Sequence, residues 1–357
     1  MITMSESSRN VRRSRAASSA SELGEKVDTA TLLEVRDLHV EFSTRSGVAK
    51  ALNGVSWGVA RGQTLAILGE SGSGKSVTAQ AIMGILDTPP ARVTGGQVLF
   101  DGRDLLSLSD DERRAVRGSG VAMIFQDALS ALNPVFPVGW QITEALRVRQ
   151  GMSRKDSRIK AVELLDRVRI PAASARVDDY PHQFSGGMRQ RVMIAMALSL
   201  DPQVLIADEP TTALDVTVQA QIMQLLSDLQ RESDMGLVLI THDLGVVAQV
   251  ADDIAVMYAG RVVERGPAAD LYRRPGHPYT RGLLQSIPSL EDKGKALRAI
   301  PGLPPTLTDL PKGCAFQPRC GYANQERCVT EQPVLQIIDA GREAACHHTK
   351  RVLDDQL

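Results

Sequence analysis

The sequence predicts an α/β protein: a mostly parallel sheet covered by helices on both faces, with an antiparallel β lobe, an inserted helical subdomain and a small cysteine-rich C-terminal extension. Three observations carry that prediction. Short apolar runs alternate with helix-length runs before residue 126 and again after residue 203. Between them, over about residues 128–202, the pattern is helical with no strand signal. All four cysteines lie after residue 310.

The elements follow in order. Residues 1–31 are rich in Ser, Ala, Arg and Glu, with Arg9, Arg12, Arg13 and Arg15 close together. No apolar stretch follows these arginines, so a secretory signal is not expected. The segment reads as a disordered leader, with weak contact to anionic lipid as the alternative. Residues 33–42 alternate like a half-buried strand, 43–47 read as a turn and 51–59 as a returning strand. Residues 64–68 suit a buried strand and 77–86 a helix. Gly95-Gly96 precedes a short strand at 97–100, and Ser109-x-x-Glu112 resembles a capping box that opens a helix. Residues 121–125 form another apolar strand, ending at Gln126. Pro134 and Pro137 read as the hinge into the helical block. Alternation then resumes with a strand at 204–207, a helix at 216–233, a strand at 237–241, a helix at 244–250 and a strand at 253–258. The division is a leader (1–31), a main unit (32–270) and an extension (271–357).

Bulk properties narrow the function. Hydrophobic content of 43% in 357 residues supports a sizeable core and about two domains. A net charge of −1 gives no global field for nucleic acid or anionic lipid. No run of 18 apolar residues exists, so no membrane-crossing helix is expected.

Residues 69–76 read Gly69-Glu70-Ser71-Gly72-Ser73-Gly74-Lys75-Ser76, the G-x-x-x-x-G-K-S pattern, between a strand and a helix. Glycines let the backbone wrap a phosphate with its N–H groups inward, and the following helix N-terminus, at Val77, adds favourable partial charge. Lys75 would reach the β- and γ-phosphates, and the Ser76 hydroxyl would hold Mg²⁺. A glycine-rich turn before a chance lysine is the bland alternative. A second feature is the apolar run Val204-Leu205-Ile206-Ala207 followed by Asp208-Glu209. Two carboxylates at the C-terminal end of a buried strand stand where open α/β sheets bind ligands. Asp208 would support Mg²⁺, and Glu209 would orient or deprotonate an attacking water. A third is Ser185-Gly186-Gly187 at a helix start, a further anion site or a simple N-cap.

Together these motifs resemble the nucleotide-binding subunits of ATP-binding-cassette (ABC) transporters, which are P-loop NTPases with a RecA-like core sheet. Ser185-Gly186-Gly187-Met188-Arg189-Gln190 looks like their signature motif. Phe125-Gln126-Asp127 matches the Q-loop, Ala213-Leu214-Asp215 the D-loop and Thr241-His242-Asp243 the switch histidine. The resemblance implies that Gln126 senses Mg²⁺ and water, that His242 contacts the γ-phosphate, and that two subunits close head-to-tail over two ATP molecules. The site would combine Lys75, Asp208, Glu209 and His242 of one subunit with Ser185 and Gly187 of the other, and Gly186 and Asp215 are further nucleotide-binding candidates. The family usually stacks an aromatic on adenine; here Ser46 stands near that position, flanked by Arg45 and Val48, with Phe42 upstream.

Three further blocks look like the extension of oligopeptide and dipeptide importer ATPases: His277-Pro278-Tyr279, Ile300-Pro301-Gly302-Leu303-Pro304-Pro305, and Gly313-Cys314-Ala315-Phe316-Gln317-Pro318-Arg319-Cys320. The cysteine spacing, Cys314-x5-Cys320-x7-Cys328-x17-Cys346, lacks a C-x-x-C pair and matches no common ferredoxin run. Spacing alone leaves zinc, iron–sulfur and four free thiols open, with His347 and His348 as substitute ligands. The resemblance implies a [4Fe–4S] cluster on the four cysteines.

The resemblance further implies a non-identical second ATPase subunit of the DppF/OppF type. It also implies two permease subunits met through residues 127–141, an extracytoplasmic peptide-binding protein, and a peripheral position on the cytoplasmic face of the plasma (inner) membrane. A nickel-chelate, glutathione or opine importer is the alternative within the class. A soluble ABC ATPase acting on DNA or ribosomes is disfavoured by the single cassette and by the lack of a basic, aromatic-laced patch.

Overall fold

The computed structural model describes residues 31–212, 214–286, 299–324 and 326–355. The expected leader therefore lies outside the described residues, apart from Thr31, which opens the first strand.

Strands β1 (Thr31–Thr44) and β2 (Gly47–Ala60) form a long antiparallel hairpin. Then come β3 (Thr64–Leu68), helix α1 (Lys75–Met83), β4 (Ala91–Phe100), β5 (Arg103–Asp104), α2 (Asp110–Val116) and β6 (Val121–Ile124). The helical block holds α3 (Ala128–Ala131), α4 (Val138–Gln150), α5 (Arg154–Arg167), α6 (Ala173–Arg176) and α7 (Gly186–Ala197). Alternation resumes with β7 (Val204–Asp208), α8 (Val216–Ser233), β8 (Gly236–Ile240), α9 (Leu244–Val250) and β9 (Asp253–Tyr258). The chain continues through β10 (Arg261–Pro267), α10 (Ala268–Arg273), α11 (Pro278–Gln285), α12 (Arg327–Thr330), β11 (Gln336–Asp339), β12 (Arg342–Ala344) and α13 (Thr349–Asp354).

Two sheets organise these elements. One is four-stranded and antiparallel, in the order β2-β1-β4-β5; the other is eight-stranded, in the order β11-β12-β10-β9-β3-β8-β7-β6. Strands β9, β3, β8, β7 and β6 run parallel. Their interiors are apolar because both faces are covered. Leu65 and Ile67 of β3, with Val204, Ile206, Val238 and Ile240, pack toward the antiparallel lobe. Ala66 and Leu68, with Leu205, Ala207, Leu237 and Leu239, join the cluster that contains the helical block. The alternation is the two-residue period of a strand, and it welds both lobes to one sheet.

Helix α1 begins at Lys75 rather than Val77 and stops at Met83, because Gly84 takes the left-handed conformation that ends helices. The strand expected at 97–100 starts at Ala91. Gly96 (φ +94) lies inside that strand at a bulge against β1, where a Cβ would stand 2.4 Å from the Asp37 carbonyl oxygen. Ser109 and Glu112 form both bonds of the capping box. Strands β10, β11 and β12 were not evident in the sequence. They carry the main sheet outward, so the hairpin of the C-terminal region completes the sheet that holds the phosphate loop.

Candidate active site

The phosphate loop joins β3 to α1. Gly69 (φ +152), Gly72 (φ +77) and Gly74 (φ +105) take backbone conformations that suit glycine. A Cβ at Gly69 would lie 2.3 Å from the Met257 carbonyl oxygen, and one at Gly74 would lie 2.8 Å from that of Ala51. The loop is thus pressed against β9 and β2. The first turn of α1 leaves the N–H groups of Lys75, Ser76 and Val77 without intrahelical partners, available to an anion. Lys75 folds back so that Nζ donates to the carbonyl oxygens of Gly69 (2.8 Å) and Glu70 (3.0 Å). Burial lowers its pKa, against the pull of Glu209, Asp208 and Glu70.

Asp208 closes β7, and its Oδ1 accepts a hydrogen bond from Ser76 Oγ at 3.0 Å. Burial raises the Asp208 pKa, helped by Glu209 and opposed by the Ser76 hydroxyl and Lys75. Glu209 follows in the left-handed region (φ +46), and its N–H bonds to the Ile240 carbonyl oxygen at 2.8 Å. A non-glycine residue held there by its neighbours is strained backbone of the kind found at functional sites. Its Oε2 accepts from Gln126 Nε2 (3.0 Å) and Thr212 Oγ1 (2.9 Å), and its Oε1 lies 3.5 Å from His242 Nδ1. The loops after β3, β6, β7 and β8 thus meet at the C-terminal edge of the parallel strands. Beside them a cavity of about 410 Å³ is lined by Thr211, Thr212, Leu214, Gln219, Thr241 and His242 among others.

Ser185, Gly186, Gly187 and Asp215 form a separate group. The Ser185 side chain accepts from Met188 N–H to cap α7, and Asp215 accepts from Val218 N–H to cap α8. A Cβ at Gly187 would meet Val218 at 2.6 Å, and one at Gly186 would meet Leu214 at 3.6 Å. Among the described residues no hydrogen bond joins this group to Lys75 or Ser76 of the phosphate loop. Ala213 of the expected D-loop lies outside the described residues. At the expected adenine position, Arg45 and Ser46 form the β1–β2 turn, while Phe42 packs partly on the core between the sheets.

The C-terminal segment reaches the phosphate loop. Glu70 N–H donates to Tyr279 Oη (2.8 Å), and the Glu70 carboxylate takes two hydrogen bonds from Arg319 (2.6 and 2.9 Å). Tyr279 and Arg319 stand in the sequence blocks that resemble the importer extension, but the sequence assigned neither a role at the phosphate loop.

The four cysteines are free thiols in one neighbourhood. Cys314 N–H bonds to the Cys328 carbonyl oxygen at 2.9 Å; Cys320 Sγ accepts from Tyr322 N–H (3.4 Å) and Cys346 Sγ from His348 N–H (3.3 Å). Burial first, then charge on the neighbouring thiols, pushes Cys320 up to about 11 and Cys346 up to about 12. Cys346 feels Cys314, Cys320 and Cys328 alike. Among the described residues no three ligand side chains stand close enough to share a single metal ion. His347 Nε2 is engaged 2.9 Å from the Glu331 carbonyl oxygen.

The ABC transporter family profile matches residues 52–212, and the oligopeptide/dipeptide transporter C-terminal region matches residues 263–328. The chain is 53% identical over 309 residues to the oligopeptide transport ATP-binding protein OppD of Bacillus subtilis, covering 86% of each. It is 49% identical over 324 residues to the dipeptide transport ATP-binding protein DppD of Escherichia coli, covering 91% of this chain and 98% of the other. A solved dimeric bacterial ABC transporter cassette superposes with a TM-score of 0.59 at 29% identity, over 66% of this chain and 98% of that one. A post-hydrolysis state of that cassette with ADP and Pi aligns equally well. The chain belongs to the family of ATP-binding subunits of oligopeptide and dipeptide ABC transporters.

Proposed function

We propose that this chain hydrolyses ATP at the site formed by Lys75, Asp208, Glu209, Gln126 and His242, and so powers import of di- and oligopeptides. The observation that carries the reading is the Glu209 carboxylate, held by Gln126 and Thr212 beside His242 and one residue beyond the Asp208–Ser76 contact. In the reaction a water attacks the γ-phosphorus of ATP, and the bond to the β–γ bridging oxygen breaks to release ADP. Glu209 orients that water and takes its proton; His242 donates to the γ-phosphate oxygens; Lys75 exchanges its carbonyl partners for phosphate oxygens. Gly69, Ser71, Gly72, Ser73 and Gly74 supply the loop backbone that wraps the phosphates.

Mg²⁺ suits the oxygen set of Ser76, Asp208 and the Gln126 amide. It would neutralise charge on the β- and γ-phosphates. A [4Fe–4S] cluster would draw on four free thiols, three half-buried and Cys328 buried, although among the described residues no three ligand side chains form a ready metal site. N–H donors at Cys320 and Cys346 are groups of the kind that tune such sulfurs. Held by Cys314, Cys320, Cys328 and Cys346, it would cross-link a segment with little core of its own.

Separation of Ser185, Gly187 and Asp215 from the phosphate loop supports completion of the site by a second ATPase subunit, which we assign to a similar but non-identical chain of the DppF/OppF type. Phe125, Leu129, Val135, Phe136 and Trp140 are exposed, with Phe136 and Trp140 stacked at 4.2 Å. That apolar face supports docking of two permease subunits over residues 127–141. No helix among the described residues is long and apolar enough to cross a membrane. Attachment would then run through the permease on its cytoplasmic face, with an extracytoplasmic binding protein delivering peptide.

The test is uptake of a labelled tripeptide together with ATP turnover in cells or vesicles carrying Glu209→Gln. Loss of both, with ATP still bound, is expected. Unchanged turnover would refute the role of Glu209, and lost turnover with unchanged peptide uptake would refute peptide as the cargo.

A further inference from the structure

Glu70 lies inside the phosphate loop, yet none of the nucleotide chemistry above uses its side chain. That side chain is the anchor of a half-buried ionic contact 249 residues away in sequence. The Arg319 side chain is 4% exposed, and its guanidinium is fully engaged. Nη1 and Nη2 grip the two Glu70 oxygens at 2.6 and 2.9 Å, Nε donates to the Pro301 carbonyl oxygen at 2.9 Å, and Nη1 reaches Tyr258 Oη at 3.3 Å. Its guanidinium carbon lies 5.8 and 5.9 Å from the ring centroids of Tyr258 and Phe316, within cation–π range. A paired, two-pronged arginine is a rigid strut that a lysine does not reproduce. Tyr279 Oη holds the backbone of the same residue, accepting Glu70 N–H. The Glu70 carbonyl oxygen in turn accepts from Lys75 and from Ser73 N–H. Side chain, N–H and carbonyl of Glu70 therefore link the C-terminal segment to the lysine that meets ATP. On the other side, Arg319 directly precedes Cys320, and Cys314 bonds to Cys328 through the backbone.

We propose that Arg319, with Tyr279, is a positioning residue for ATP. It holds the phosphate loop in its receiving shape and couples the four-cysteine segment to nucleotide binding. The proposal rests on the ATPase reading above. Coupling of this kind is reciprocal: if the segment sets ATP affinity, ATP must change the stability of the segment. Losing a charge-assisted two-pronged contact should weaken ATP binding roughly tenfold or more.

The experiment uses the full chain, with ATP affinity from a fluorescent analogue, steady-state turnover, and hydrogen exchange over residues 314–324 with and without MgATP. Wild type should bind ATP and show slower exchange in that segment on binding. Arg319→Ala should raise Kd and KM with a smaller change in kcat and lose the exchange response; Arg319→Lys should restore little. Glu70→Gln, at a partly exposed position, tests the same contact without emptying a buried site and should give the same pattern. Unchanged ATP affinity and an intact exchange response in a folded Arg319→Ala or Glu70→Gln chain would overturn the proposal. Wild type that binds no ATP would instead overturn the ATPase reading on which it rests.

Discussion

Gln126 and Glu209 stand 83 residues apart in sequence, yet the Gln126 amide donates to the Glu209 carboxylate at 3.0 Å. The residue that aims the proposed base therefore comes from the strand next to it, at the start of the loop that leads into the helical block. A movement of that block would be felt at the base directly.

Gln126→Ala removes one of two donors to Glu209 Oε2 and leaves Thr212 in place. Turnover should fall about 10- to 100-fold, part of the roughly 10²–10⁴ that a positioned base supplies. Affinity for ATP without Mg²⁺ should change little, because Lys75 and the loop backbone are untouched. Single-turnover hydrolysis set against equilibrium binding of Mg²⁺-free ATP separates the two effects; equal losses in both would contradict a role confined to the base and the metal.

Gly69→Ala and Gly72→Ala should differ sharply. At Gly69 the new methyl meets a strand carbonyl at 2.3 Å, so the loop must move, at a cost of about 1–3 kcal/mol, and ATP binding should be lost. At Gly72 no atom lies within 4 Å, leaving only the backbone penalty of roughly 1–2 kcal/mol. Thermal unfolding and ATP titration of both variants make the comparison; equal damage at the two positions would count against the steric account.

His277 supplies the pH dependence. Its ring is buried, Nδ1 accepts Tyr279 N–H to cap α11, and burial lowers its pKa from 6.5 to about 3. The unfolded chain binds the proton first on acidification, so folding stability is complete above about 6.5 and declines as pH falls toward 3. The slope contributed is at most about 1.4 kcal/mol per pH unit. Glu264, which accepts from the Gly276 and His277 N–H groups, is pushed the other way from its own usual range, chiefly by burial. Urea unfolding of wild type and His277→Gln at pH 7.5 and 5 isolates the histidine. The variant should lose less stability on acidification, and parallel curves would remove His277 as the cause.

Cys314→Ala tests the cluster. Iron should be present in anaerobically purified wild type and lost from the variant, with the C-terminal segment destabilised and ATP still bound. Iron content and visible absorbance report it; iron retained in full by the variant would sink the assignment of Cys314 as a ligand.

The parallel core was legible because buried parallel strands are apolar along their interiors, with polar residues such as Thr64, Asp208 and Asp253 only at their ends. The helices at 216–233 and 244–250 and the strand at 253–258 match the sequence reading residue for residue. Strand β10 was not legible, because it carries Glu264 and Arg265 among its valines. Glu264 is fully buried, satisfied by the Gly276 and His277 N–H groups and by Arg342 at 3.5 Å. Those partners lie on later elements, and a local reading of sequence prices such a carboxylate as exposed. Strands β11 and β12 span four and three residues, too short for a two-residue alternation to show. At the site, motif and strand context singled out the phosphate loop, Asp208 and Glu209, and the family resemblance pointed to Gln126 and His242; the fold brings these side chains together. The sequence carried no sign of the Glu70–Arg319 contact, which depends on a fold closing over 249 residues.

The sheet order has a consequence in time. Strand β10 pairs with β12 along its outer edge, and Arg265 meets Glu343, 78 residues further along the chain. A ribosome adding roughly 5–20 residues per second takes about 4–16 s to cover that distance. Throughout that interval the nascent cassette can hold its nucleotide core while one sheet edge stays open to any other extended chain. Its exposure to misassembly is set by the speed of translation through the C-terminal region, and codons that slow that stretch would lengthen it.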